Sequence, residues 1–538
     1  MVFRTSPTDA PEADASLLAA ADRSQKWMAL LAALLGWMFD GFEQGMFSLV
    51  GRGAFANLLA GSGKERQVNA WFGVIMAVFL VGAAAGGVLF GWLGDRLGRV
   101  RAMTLSILSY TIFTALCGLA TAPWHLAILR FLSSLGIGGE WALGVALVVE
   151  LWPDQSRAYV AGLVGAAGNV GYLLVGLLGL TLTQIVGRLS SWLVSIGFSP
   201  GTVSWLLSGE GAAKGWRLLM LSGCLPALLI FFIRVFVPES HRWEAQKRRG
   251  ATSYWSTADL TGVLAGTIGA ALIIYVWSPA SDTWPATSRT TLRAAGTASG
   301  LVLALFGFMF PVIRYMQRAV AANALPRGES AQTFRRLLFG AAIAGVPLLG
   351  TWGSVQWAMK WADGLSVGTP QHLRAAGYTT ICLGAGAIFG TIAAGVLAGR
   401  FGRRITYTVL CFGSVAACLL LYQTNSAYNS WFLFCVVAVG AWTGAFYGWF
   451  PLYLPEIFHT SVRATSQGFT YNFGRVIAAI GTLQTAALMA YFTNPHWTPH
   501  QAEVLSFPKA ASVLAMVYLI GPIIIWLGPE TKGTPLPA

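Results

Sequence analysis

Apolar runs of about 20 residues recur along almost the whole of this chain, and nothing else in it restricts the fold so strongly. Such a run crosses the roughly 30 Å hydrocarbon core of a bilayer as a helix, the form that satisfies its own backbone in lipid. We count fourteen spans between residues 28 and 528, so the expected fold class is an all-α membrane protein. Only 10% of the 538 residues are charged, against about 25% in a soluble domain. The net charge of +14 would suit nucleic acid, but the Lys and Arg residues fall in short loops beside apolar spans. There they set orientation in the bilayer, and no nucleic-acid partner is expected. All six cysteines (Cys117, Cys224, Cys382, Cys411, Cys418, Cys435) lie in apolar runs without disulfide or zinc spacing. The start of the chain holds Asp9, Glu12, Asp14 and Asp22, which suits a cytoplasmic tail rather than a signal peptide.

Two polar loops divide the pattern. Gly91–Arg101 (GWLGDRLGRVR) and Gly395–Arg404 (GVLAGRFGRR) align Gly91 with Gly395, Arg96 with Arg400, Gly98 with Gly402 and Arg99 with Arg403, at an offset of 304. A second repeat pairs Glu150 and Arg157 with Glu456 and Arg463, at an offset of 306. A weaker echo relates Pro238-Glu239-Ser240 to Pro529-Glu530-Thr531. The chain therefore divides into two similar halves. Eight apolar runs lie between the copies of the first motif where six are expected, so two helices, near 258–278 and 296–316, are inserted. The expected organisation is a tail at 1–27, a six-helix half at 28–237, cytoplasmic segments with the inserted helices at 238–336, a second half at 337–528 and a tail at 529–538. Both termini are expected in the cytoplasm, because the loops this places inside are the basic ones, the cluster Arg242, Lys247, Arg248, Arg249 above all. Residues 189–207 are apolar enough to be taken for another span. Spanning would move that cluster outside, so this segment is expected to lie along the outer surface.

These motifs, in this order and on this side, resemble the major facilitator superfamily over nearly the whole chain. Asp40-Gly41-Phe42-Glu43, Gly139-Glu140-Trp141 leading to Glu150-Leu-Trp-Pro153, and the inserted helices resemble its sialate:proton and metabolite:proton symporters. Those relatives carry Asp where this chain has Glu43, so sialate recognition does not follow from the motif. The resemblance implies two six-helix halves plus two inserted central helices, fourteen in all. It also implies alternating access in a cell (inner or plasma) membrane and a first loop packed near the start of the penultimate helix, here Ala464–Gln467.

Charged side chains at membrane depth are few: Asp40, Glu43, Arg130, Glu140 and Arg475. Each costs about 2.5–3.5 kcal/mol at a helix centre, so each needs a partner or an aqueous cavity. Asp40 and Glu43 share a helix face, and adjacent carboxylates resist joint ionisation. They are the candidate proton carriers of a proton-coupling set that also holds Glu140 and Arg130, the latter to tune the acids or pair with them. The alternatives are that one acid merely pairs with Arg130 and that Glu140 serves packing. Arg475 is the candidate anchor for a substrate carboxylate, through paired hydrogen bonds; the alternatives are a cross-half ion pair with Asp40 or Glu43, and snorkelling. Asn472 lies beside it, Asn169 is its counterpart at the 306 offset, and Gln356 and Trp357 would suit a ring. Gly91, Asp95, Arg96, Gly98, Arg99, Glu150, Arg157, Arg400, Arg403, Glu456 and Arg463 are candidate gating residues. Asp95 would accept from an open helix N-terminus, and Gly399 in its place in the second copy makes that latch one-sided.

Gly61-Ser-Gly-Lys64-Glu65 lacks phosphate-loop spacing, and no catalytic, metal or cofactor pattern stands out. The expected protein is no enzyme. It is a monomeric, proton-coupled carrier of a small organic anion, such as a sugar acid, with the lipid bilayer, substrate and protons as partners. A neutral-sugar carrier is the alternative, and a non-transporting membrane sensor stands behind it.

Overall fold

The computed structural model describes residues 23–59, 65–152, 154–209, 214–278, 281 and 283–537. Most of the 1–27 tail and the Gly61–Lys64 stretch lie outside them. The first half holds α1 (Arg23–Leu58), α2 (Glu65–Leu97), α3 (Arg99–Cys117), α4 (Pro123–Leu151), α5 (Asp154–Ser195), α6 (Pro200–Leu206), α7 (Trp216–Leu221) and α8 (Ala227–Phe236). Then come α9 (His241–Arg248), α10 (Leu260–Trp277) and α11 (Ala286–Ala321). The second half holds α12 (Glu329–Gly353), α13 (Ala358–Ser366), α14 (His372–Phe401), α15 (Arg403–Thr424), α16 (Ser430–Gly444), α17 (Phe446–Glu456), α18 (Arg463–Phe492), α19 (Pro499–Ala515) and α20 (Gly521–Ile525). Among the described residues, 11 helical stretches are long and apolar enough to cross a membrane. The other three expected spans coincide with α1 and α18, whose apolar windows are interrupted by charged and amide side chains, and with the broken pair α7–α8.

The halves repeat in space as in sequence. Arg23 and Glu329, which open α1 and α12, are 306 apart, and Arg99 and Arg403, which open α3 and α15, are 304 apart. The halves meet along two seams that exchange under this repeat, α2 against α18 and α14 against α5. Small residues let the backbones close up. A Cβ on Gly91 would meet the carbonyl of Ala464 at 2.7 Å, and one on Gly395 would meet that of Ala158 at 2.4 Å. The inserted pair α10–α11 packs on itself through glycines and rests on α2 and α18, outside one of the two seams.

Two spans are interrupted. α12 stops at Gly353 and a 3₁₀ turn, Val355–Trp357, leads into α13. α16 stops at Gly444, and α17 carries Pro451 and Pro455. Broken backbone at membrane depth is tolerated where it lines a cavity. Both breaks do so, as described below. One expectation is corrected. Residues 189–195 are no separate surface segment but the end of α5, which runs unbroken for 42 residues. At 1.5 Å per residue such a helix rises about 63 Å, far beyond the hydrocarbon core, so it continues past the span.

Candidate functional site: a cavity between the halves and a charge network at one end

The loop motifs build a buried network at one end of the bundle. Gly98 and Gly402 cap α3 and α15 at φ 114° and 96°, a conformation that only glycine adopts easily. The bend lets Arg99 and Arg403 fold back. Arg99 Nη1 donates to the Gly94 carbonyl at 2.7 Å and to Asp95 Oδ1 at 2.8 Å, and its Nη2 reaches Glu150 Oε1 at 3.1 Å. Arg403 Nη1 donates to the Ala398 carbonyl at 2.9 Å, and its Nε and Nη2 hold Glu456 at 3.0 and 2.7 Å. The weak echo has the same geometry in both halves. Glu239 accepts the Arg99 amide at 2.8 Å, Glu530 accepts the Arg403 amide at 3.0 Å, Ser240 donates to Glu150, and Thr531 donates to Glu456 at 2.6 Å. The first glutamate of each echo thus caps a helix N-terminus, and the hydroxyl beside it completes the ion pair.

The two capping glutamates titrate in opposite directions. Burial pushes Glu239 above the ordinary carboxylate value of 4.5, more than its backbone donors lower it. Burial also acts to raise Glu530, but the amides of Arg403, Arg404 and Lys532, with the Arg403 charge, together hold it below 4.5.

The same end ties the halves together. Arg463 Nη1 donates to Glu150 Oε1 at 2.8 Å, and Arg157 stands 3.8 Å from Glu456, the counterpart contact. Asp95 accepts from the amides of Ala464 and Thr465 at 3.2 and 2.8 Å and from the Thr465 hydroxyl at 2.6 Å. It therefore caps α18 from across the seam. Arg96 and Arg400 stand apart from this network. Arg96 donates to Thr257 at 2.9 Å, and Arg400 lies over Phe401 with its carbonyl taken by Lys532.

Between the halves lies a cavity of about 790 Å³ of empty space. The first half contributes Trp37, Gln44, Asn169 and Tyr172, and the second contributes Trp352, Gln356, Tyr447, Tyr471 and Arg475. Both helix breaks open onto it, through Val355, Gln356 and Met359 and through Thr443, Gly444 and Tyr447. Arg475 is 2% exposed, and its Nε and Nη1 have no hydrogen-bond partner. Its guanidinium lies 5.4 Å from the centre of the Tyr471 ring, which stacks on Trp141 at 3.9 Å. Among the described residues it makes no ion pair with a carboxylate, so the cross-half pair with Asp40 or Glu43 is not formed. Asn169 and Arg475, related by the repeat, line the same cavity.

Two expected substrate contacts are corrected. Trp357 is absent from the cavity wall and packs against the cluster that contains Val355, Ala358 and Trp361. Asn472 is fully buried at the α2–α4–α18 contact, where its Nδ2 donates to the carbonyls of Gly138 and Gly468 at 3.0 and 2.9 Å. Trp37, Gln44, Tyr172 and Tyr471 escaped the sequence reading. The 306 offset could have found Tyr172, since Asn169 and Tyr172 lie one helical turn apart on one face.

The buried acids separate into paired and unpaired. Glu43 accepts from Arg130 and, at 2.9 Å, from the hydroxyl of Thr114, and the Arg130 guanidinium lies over Phe47 and Phe79. Asp40 is fully buried, has no hydrogen-bond partner on either oxygen, and lies within electrostatic reach of Arg475 and Glu43. Glu140 is likewise buried and unpartnered, beside Asp40 and Tyr110.

Two pseudo-equivalent helical bodies, a cavity at their seam and a charge network at one end define a membrane carrier. The chain belongs to the family described as sugar (and other) transporter, whose profile matches residues 28–268 and 349–532, and it is a transporter of the major facilitator superfamily. The interval between the matched stretches contains the end of α10, all of α11 and most of α12. The chain is 25% identical over 461 residues to the cis,cis-muconate transport protein of Acinetobacter baylyi, covering 85% of this chain and 86% of that one. It is 28% identical over 230 residues to the sialic acid transporter NanX of Escherichia coli, covering 42% of this chain and 48% of that one. Its fold matches the proton:xylose symporter XylE with a TM-score of 0.62 at 17% identity, covering 96% of this chain and 98% of that one.

Proposed function

We propose that this transporter carries a small organic anion, a carboxylate bearing a ring or planar body, by proton-coupled symport. One observation carries the proposal: the Arg475 guanidinium is buried, lines the cavity that both halves share, and is left with two unpartnered donor nitrogens. A buried cation without an anion is costly, and a bound carboxylate would supply the missing partner through charge-assisted hydrogen bonds. The Trp and Tyr walls suit a ring or a conjugated chain. Asp40, unpartnered and near Arg475, is the proton site. Protonated, it leaves Arg475 free for the substrate; charged, it competes for the same guanidinium. Glu43 and Arg130 form the fixed pair that sets the surrounding field. The network at the motif end holds that end shut until the halves rock. The names of two relatives, a muconate and a sialic acid transporter, both denote organic acids.

A neutral sugar is the second reading, favoured by the three amides Gln44, Asn169 and Gln356 on the cavity wall. Uptake into proteoliposomes separates the two. Sialic acid, muconate, benzoate and xylose are offered with and without an inward proton gradient. The proposal expects uptake of at least one acid, raised at least several-fold by the gradient. Uptake of xylose alone, or uptake of acids indifferent to the gradient, contradicts it.

A further inference from the structure

In the cycle above one proton rides on Asp40, and Glu140 has no task. Yet Glu140 is 3% exposed, with no hydrogen-bond partner on either carboxylate oxygen. It lines a second, smaller cavity of about 240 Å³ of empty space, walled by Trp37, Met103, Trp141 and Val164. The missing side chain of Gly36 makes room for it, since a Cβ there would meet Glu140 Oε1 at 2.0 Å. The titratable groups that face it are two. Asp40 reaches it from α1, and the Tyr110 hydroxyl lies beside it from α3 without closing a well-formed hydrogen bond. Across the chamber α5 presents Val164. Among the described residues no Lys, Arg or His pairs with Glu140, and Arg130 of its own helix is taken by Glu43. A bare carboxylate there would lack every form of compensation, whereas a protonated one is a neutral acid. Trp37 lines both this chamber and the central cavity, so its indole is the partition between them.

We infer that Glu140 carries a second coupled proton, exchanged with the central cavity past Trp37, so that two protons move with each carboxylate. The inference rests on the symport reading. On the loading side Asp40 and Glu140 each take one proton from water, and the substrate anion binds at Arg475. The loaded body then carries one positive charge more than the empty one. On the far side the anion leaves, and both protons return to water.

The test uses the full chain in liposomes, with sialic acid, a monocarboxylate, as first probe and benzoate as second. An inside-negative potential of 100 mV at equal pH should raise accumulation roughly fifty-fold, the factor for one moved charge. A pH indicator should count two protons per anion. Glu140→Gln should keep uptake driven by a pH gradient, carry one proton per anion, and lose its response to potential. Wild-type uptake indifferent to potential, a wild-type count of one proton, or a variant that still shows two protons and the potential response overturns the inference. The wild-type count decides even if the variant fails to fold. If the wild type answers to neither gradient, the symport reading itself has failed.

Discussion

At the scale of residues, the buried charges divide into those that form ion pairs and those that do not. Glu150, Glu456, Arg99 and Arg403 are paired, while among the described residues Asp40, Glu140 and Arg475 are not. The two capping glutamates test this outside the membrane. Glu530 is held low in the fold, so it stabilises the fold above its unfolded value of about 4.5, and that contribution is lost as pH falls through the folded value. Glu239 is held high, so acidification through the range just above 4.5 favours the fold at this residue. Thermal unfolding in detergent against pH should therefore show opposite trends. The advantage of wild type over Glu530→Gln shrinks below about pH 4.5, and its advantage over Glu239→Gln grows as pH approaches 4.5 from above. Parallel trends would refute the assignment. Much of this scale was legible beforehand. A charge in an apolar run is conspicuous because its insertion cost is high, which singles out Asp40, Glu140 and Arg475. Which way a side chain turns depends on neighbours from other helices. Asn472 and Trp357 were therefore misplaced, and Tyr471 went unnoticed among many aromatics.

At the scale of elements, helix ends do the work of the network. α3, α15 and α18 all begin at one end of the bundle, and each receives a carboxylate at its N-terminus: Glu239, Glu530 and Asp95. The paired glycine loops were readable because the bend needs a backbone that only glycine supplies. The break between α12 and α13 was not, since apolarity continues through it and only the cavity explains it. Gly98→Ala places a Cβ 2.3 Å from Glu239 Oε2 at φ 114°, whereas Gly402→Ala leaves 3.0 Å to Glu530 at φ 96°. Both are strained, by about 1–3 kcal/mol, and Gly98→Ala should lower the unfolding temperature more. A neutral Gly98→Ala, or the reverse order, would contradict the account of these caps.

At the scale of the whole molecule, the repeat explains both the symmetry and its departures. α2 on α18 and α5 on α14 are one contact made twice, as an offset of about 305 residues between the motif copies leads one to expect. The charges at membrane depth and the acid of the latch are not repeated. Asp95 faces Gly399, Asn169 faces Arg475, and Arg130 and Glu140 face Val436 and Phe446. At membrane depth the first half thus holds the acids and the second holds Arg475, which lines the shared cavity. The most direct measurement is the affinity of the purified protein and of Arg475→Gln for a transported carboxylate and for its amide. Arg475→Gln should weaken the acid roughly ten- to hundred-fold, as the loss of charge-assisted hydrogen bonds implies, and the amide less than about two-fold. Equal loss for both, or none for either, would show that Arg475 does not hold the anion.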